Sequence, residues 1–208
     1  MNSIGLLGVS VLPGSRIHVG PAVLPPSTLP AVGPWDWSFE TAAVVDAGPE
    51  DVMAWWFHPD RRKECQERIE KTGARDVSVT QTTTDGVRVR VACWTDRRGW
   101  DTHHQVETRL GPDGMPAGQG DRYIAPASDV VSFNRRSGQK MTVTCMGRLE
   151  FIPHESGDTE IRTVHHHTLT GGRWIQRWSV RRSDHVKSDR VFRESITRCR
   201  AAVGRPPP

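Results

Sequence analysis

His165, His166 and His167 stand in a row inside a stretch that alternates like a β-strand. Imidazole titrates near neutral pH, so a buried histidine can give or take a proton where most side chains cannot. Side chains of a strand point alternately to its two faces. If Glu160 and Arg162 face water, Ile161, Thr163, His165, His167 and Leu169 face inward and His166 faces out. His104 falls on the inward face of its own strand by the same rule. His165 and His167 are therefore candidate acid/base residues. The alternative is that they hydrogen-bond a polar group of a ligand, since buried polar groups need partners whether or not they catalyse. Metal is a third reading. Histidines at i and i+2 lie about 6.7 Å apart along a strand, and His104 offers a third ligand for zinc. The sequence shows no obvious inward carboxylate to support such ligands, so no metal and no cofactor is expected.

Other side chains carry weaker signals. Cys65, Cys93, Cys145 and Cys199 are widely spaced, with no C-x-x-C pair. They read as reduced thiols of a cytoplasmic protein rather than a disulfide framework. Cys93 and Cys145 look like small buried hydrophobes with no base beside them. Trp174 and Trp178 are one helical turn apart. They serve either as core packing or as a wall or gate at a pocket mouth. Arg173, Arg177, Arg181, Arg182, Lys187, Arg190 and Arg193 follow on the same segment and read as a solvated face, or as a docking patch for a protein partner. No phosphate loop and no aromatic–basic nucleic-acid motif is present, so no nucleic acid is expected as a partner.

The elements that must position these groups follow from pattern. Trp37–Val45 reads as a strand. Gly48-Pro49-Glu50-Asp51 starts a short helix, with proline at its first position and acids where the helix dipole favours them. A second, polar helix covers Pro59–Thr72, with Gly73 at its end. Val77–Thr84 and Val87–Trp94 flank Asp85-Gly86, a strong hairpin signal. In the second of these strands Val87, Val89, Val91 and Cys93 alternate with Arg88, Arg90 and Ala92, which predicts valines inward. Thr102–Leu110 is the next strand. Gly111 to about Ser128 reads as a loop, and Val130–Asn134, Met141–Ile152 and Thr159–Leu169 complete seven strands. From Arg173 the spacing is helical. A stripe runs through Trp174, Trp178, Arg181, His185, Ser188, Phe192, Ile196, Cys199 and Val203, and Ser183-Asp184 is a possible break.

The 208 residues suffice for one domain with tails. Residues 1–34 repeat Pro, Gly and Ser and read as a disordered leader; 35–203 form the domain and 204–208 a disordered tail. The first residues lack the basic start of a signal peptide, and no apolar run is long enough to span a membrane. Net charge is +4, and 24 of the 28 basic residues are Arg. The charge is not gathered into one block, so it does not define a surface. Nothing in these residues fixes an oligomeric state.

The order strand, two short helices, six strands, long helix resembles the START-like, or SRPBCC, superfamily. This superfamily includes the birch-pollen allergen and the polyketide cyclase/dehydrase and lipid-transport proteins. The match is carried by Phe39–Trp56 with Ala47-Gly48-Pro49-Glu50-Asp51-Val52, by His58-Pro59-Asp60, by the last strand with Gly171, and by the closing helix. It covers about residues 37 to 203. The resemblance implies an α+β helix-grip fold, with a curved antiparallel sheet wrapped around the C-terminal helix and a cavity between them. It implies a small hydrophobic ligand as the partner, with cyclisation or dehydration as the enzymatic alternative, and it carries no universal catalytic residues. It also sets the strand of His104 across the cavity from the last strand, which argues against a shared metal. The residues expected to line the cavity are Val89, Val91, His104, Cys145, His165, His167, Trp174, Trp178 and His185.

Overall fold

Asp85 and Gly86 both adopt positive φ, 52° and 70°, the pair of left-handed residues that a two-residue I′ turn needs. The hairpin they close joins two of the seven strands. The computed structural model describes residues 35–118, 122–134 and 140–204. The expected leader 1–34 and the end of the tail lie outside the described residues.

The strands are β1 (Asp36–Val45), β2 (Arg75–Thr84), β3 (Val87–Thr95), β4 (Trp100–Arg109), β5 (Tyr123–Asn134), β6 (Lys140–Pro153) and β7 (Thr159–Gly171). The helices are α1 (Pro49–Trp56), α2 (Arg61–Lys71) and α3 (Trp174–Val203). All seven strands form one antiparallel sheet in the order β1-β7-β6-β5-β4-β3-β2. The first strand pairs with the last, so the chain wraps the sheet round and lays α3 over it. This is an α+β helix-grip architecture.

One face of the sheet carries the core. Val45, Val106, Ala125, Ala127, Phe151 and Ile161 pack with Val52, Met53 and Phe57 of the α1 region and with Phe192, Ile196 and Cys199 of α3. Burial of each large side chain here contributes roughly 1.5–3 kcal/mol. A smaller cluster joins Ile69 of α2 to Val79 and Ala92 at the β2–β3 end. The backbone of α3 runs closest to β1 and α1 rather than over the middle of the sheet. Among the described residues no helix is long and apolar enough to cross a membrane.

Three local expectations change. β5 begins at Tyr123, so part of the expected loop is strand. Pro126 disguises it: the β4–β5 ladder stops at Val106–Ala127, beside a residue that has no N–H to donate. α3 runs unbroken through Ser183 and Asp184. The face assignment of β3 is reversed. Its register aligns Arg90 with Val106 and Ala92 with His104, which puts the arginines on the helix-facing side. Arg88 Nη1 donates to the Phe57 carbonyl at 3.0 Å and Arg90 Nη1 to the Trp56 carbonyl at 3.5 Å. They serve the carbonyls left unpaired at the end of α1, where cations are also favoured by the helix dipole.

Candidate functional site

The register lines up His104, Asp129, Cys145 and His167 in one row across β4, β5, β6 and β7, and Trp37 extends it onto β1. Residues paired across a ladder share a face, and adjacent strands lie about 4.8 Å apart. Chemistry-bearing groups are thus neighbours along a line perpendicular to the strands, on the face that carries the core. His165 stands one alternation along β7, opposite Gly147 on β6 and Phe39 on β1.

His104 Nδ1 is hydrogen-bonded to Asp129 Oδ1. Each of these side chains keeps 32% of its surface accessible, although both stand on central strands. Cys145 Sγ and His165 Nδ1 are 3.2 Å apart. Phe39 stacks on His165 and His167, and Trp37 stacks on His167, with centroids about 5 Å apart. From the helix side, Asp184 Oδ2 accepts a hydrogen bond from Trp37 Nε1 at 3.1 Å. The same oxygen lies 3.2 Å from His167 Nδ1. That approach lacks hydrogen-bond alignment, and both ring nitrogens of His167 are buried without a hydrogen-bond partner.

Burial alone would push the Asp129 carboxyl up. The adjacent His104 and its hydrogen bond override this, helped by His165 and His167, and hold it below its ordinary value. Asp129 is therefore a carboxylate at neutral pH. Burial lowers His165 and His167 to about 4 despite the pull of Asp129 in the other direction, so both are neutral imidazoles. Burial raises the Asp184 carboxyl against the Trp37 hydrogen bond. Burial also lifts the Cys145 thiol well above its usual value, and Asp129 and Asp184 add to the effect. Cys145 is thus a protonated thiol hydrogen-bonded to a neutral imidazole, not a poised nucleophile.

Of the residues expected to line a cavity, His104, Cys145, His165 and His167 are brought together. Val89 and Val91 are not; the β3 register turns them to the opposite face. Trp174 and Trp178 are 70% and 53% exposed, so they form neither core nor closed wall. The side chain of His185 lies outside the described residues. His166 faces away as alternation requires, yet it is buried and shares a 2.9 Å hydrogen bond with Ser38 Oγ. Cys145 does have a base beside it, contrary to the reading from sequence. Asp129 and Asp184 are the carboxylates that reading missed. Extending β5 back past Val130 would have put Asp129 in alternation with Val131, while Asp184 was masked by its resemblance to a helix cap. A separate groove of about 570 Å³ runs between β1 and the C-terminal half of α3, lined by Thr41, Ala43, Phe192 and Ile196 among others. None of the histidine cluster lines it.

No family model matches the chain, and no curated protein matches it in sequence. Among solved structures it is similar to the di-domain aromatase/cyclase BexL from the BE-7585A biosynthetic pathway, with a TM-score of 0.48 and 12% identity over 83% of this chain and 52% of that one. This chain thus spans about half the length of that protein. It is also similar to the Zhui aromatase/cyclase from Streptomyces sp. R1128, with a TM-score of 0.45 and 13% identity over 82% and 99% of the two chains. A third similar structure is Ara h 8.0201, with a TM-score of 0.40 and 10% identity over 79% and 97%. All three TM-scores are below 0.5, so the helix-grip architecture rests on this chain's own element order and strand pairing. What the protein does has to be argued from its own side chains.

Proposed function

We propose that this protein binds a small, largely apolar molecule on the helix-facing side of its sheet and that His104 exchanges a proton with a hydroxyl, phenol or enol of that molecule. The observation that carries this reading is the Asp129 carboxylate bonded to His104 Nδ1, with open surface on both side chains. A carboxylate accepting from Nδ1–H fixes the imidazole tautomer and leaves the Nε2 lone pair free as a base. The proton so gained is stabilised by the carboxylate and can be returned to a leaving oxygen, as a cyclisation or dehydration requires. Apolar neighbours in the same part of the sheet, Val131, Val143 and Phe39, suit an aromatic or polyketide-like body.

His165 and His167 were the first candidates for this role. As neutral imidazoles held low by burial and clamped by Trp37 and Phe39 they are weak bases, and they suit selection of a polar ligand group. A carrier that only holds a greasy ligand has no need of a carboxylate–imidazole pair on the surface that meets it.

The test is incubation of the purified full chain with a linear polyketide mimic, with binding followed by native mass spectrometry and product by chromatography. His104→Ala is expected to abolish turnover and keep binding. Binding without turnover by the unmutated protein would leave a carrier. Failure to bind any apolar probe would remove both readings.

A further inference from the structure

We infer that Cys145, His165 and His167 form a zinc site. Their candidate ligand atoms all lie within 4.8 Å of one another, and they come from two hydrogen-bonded strands whose register is fixed by a long antiparallel ladder. One thiolate and two imidazoles are a borderline-soft donor set of the kind that zinc prefers over calcium or magnesium. In a tetrahedral site, Zn–S near 2.3 Å and Zn–N near 2.0–2.1 Å put sulfur and nitrogen about 3.6 Å apart. Cys145 Sγ and His165 Nδ1 are already at 3.2 Å, so the ion would take the place of the proton they share and part them slightly.

The buried, unpartnered imidazole of His167 points to a ligand at this place, and its surroundings suit one. His167 is 5% exposed, and neither of its ring nitrogens has a hydrogen-bond partner. A buried imidazole left so is costly, and coordination through one nitrogen would relieve it. Asp184 Oδ2 stands 3.2 Å from His167 Nδ1 and is itself held by the Trp37 indole. A carboxylate behind a histidine, oriented by a further hydrogen bond, is the usual outer support of a zinc ligand. Gly147 makes the room. A Cβ there would meet the Val164 carbonyl oxygen at 2.2 Å and His165 Nδ1 at 3.1 Å. Only glycine lets the His165 ring lean across β6 toward Cys145. The stacked rings of Trp37 and Phe39 cover the imidazole faces and leave the in-plane nitrogens available.

Binding replaces the Cys145 S–H by S–Zn and releases that proton to solvent. The three protein ligands leave a fourth position, and Asp129 stands next to Cys145 in the same row. The inference uses none of the proton chemistry assigned to His104, so the two readings fail separately.

The test uses the untagged full chain, stripped with a chelator and dialysed. Zn²⁺ is titrated against a chromophoric competitor, and Co²⁺ is bound as a spectroscopic probe. One equivalent is expected to bind. The cobalt form is expected to show a thiolate-to-metal charge-transfer band and the intense visible bands of tetrahedral geometry. Cys145→Ser is expected to remove the charge-transfer band and weaken Zn²⁺ binding at least tenfold. Asp184→Asn should weaken it by about 10–100-fold, and Cys93→Ser, on the opposite face, should change nothing. Circular dichroism of each variant separates loss of metal from loss of fold. His167→Ala is expected to weaken Zn²⁺ binding as Cys145→Ser does; if it does not fold, Cys145→Ser decides alone. No stoichiometric Zn²⁺ binding, Zn²⁺ binding indifferent to Cys145→Ser, or a preference for copper(I) that excludes Zn²⁺ would overturn the inference.

Discussion

The His104 imidazole donates from Nδ1 to the Asp129 carboxylate, its partner across the β4–β5 register. Both are set by backbone pairing rather than by a loop, and both side chains keep open surface. The chemistry proposed for this protein rests on that pair.

Asp129→Asn keeps the size of the side chain but removes the charge that orients and stabilises the His104 imidazole. Turnover of a linear polyketide mimic is expected to fall by about 10²–10⁴-fold, the usual contribution of a positioned acid/base group. KM should change little. Unchanged turnover would reduce Asp129 to a structural role.

Folding stability of the metal-free, chelator-stripped chain should decline on acidification below neutral pH. His165 and His167 are lowered to about 4 in the folded chain, against about 6.5 when unfolded. Between those values the unfolded state binds more protons, so stability rises with pH across the window and is lost as pH falls through it. Each unit of depression corresponds to about 1.4 kcal/mol. Asp129, Asp184, His104 and Cys145 face these rings from β5, α3, β4 and β6. Of these, Asp184, raised by burial, acts in the opposite sense at the acid end. Thermal melts from pH 7 to pH 4.5 check the trend. Replacing both histidines by Gln should flatten it.

Phe151→Ala should destabilise the chain by about 3–5 kcal/mol. The Phe151 ring is 1% exposed and meets Trp56 and Phe57 edge-on, so its loss leaves a cavity between the sheet and α1. Denaturant unfolding gives the number.

Gly147→Ala tests the close approach of β6 and β7. The new Cβ would contact the Val164 carbonyl, a backbone atom that cannot step aside. A loss of about 1–3 kcal/mol is expected, with displacement of His165 from Cys145 visible in the imidazole NMR signals. A neutral substitution would mean that the strands are less tightly held.

The element order, the seven strands and the closing helix were legible because they depend on local signals: Asp85-Gly86 for the hairpin, Gly48-Pro49 for α1, and alternation in β7. The inward placement of His104, Cys145, His165 and His167 followed from the same alternation. What failed was register. Periodicity names two faces of β3 but not which one meets the core. Apolarity chose Val89 and Val91, whereas the ladder with β4 and the carbonyls at the end of α1 placed Arg88 and Arg90 there. Trp174 and Trp178 obey the helical spacing of Phe192 and Ile196, yet they lie on the half of α3 with little packed against it. Asp129 and Asp184 were hidden because their partners are distant in sequence. Only tertiary pairing brings Asp129 to His104 and Asp184 to His167.

The most direct test of the central claim is NMR of the uniformly ¹⁵N-labelled chain, with imidazole and backbone amide signals followed as a phenolic polyketide mimic is titrated in. The account predicts that the His104 ring signals shift and saturate with the ligand, and that Asp129→Asn abolishes the His104 response. Saturable binding that leaves His104 unmoved and instead perturbs the groove between β1 and α3, at Thr41 and Phe192, would contradict it.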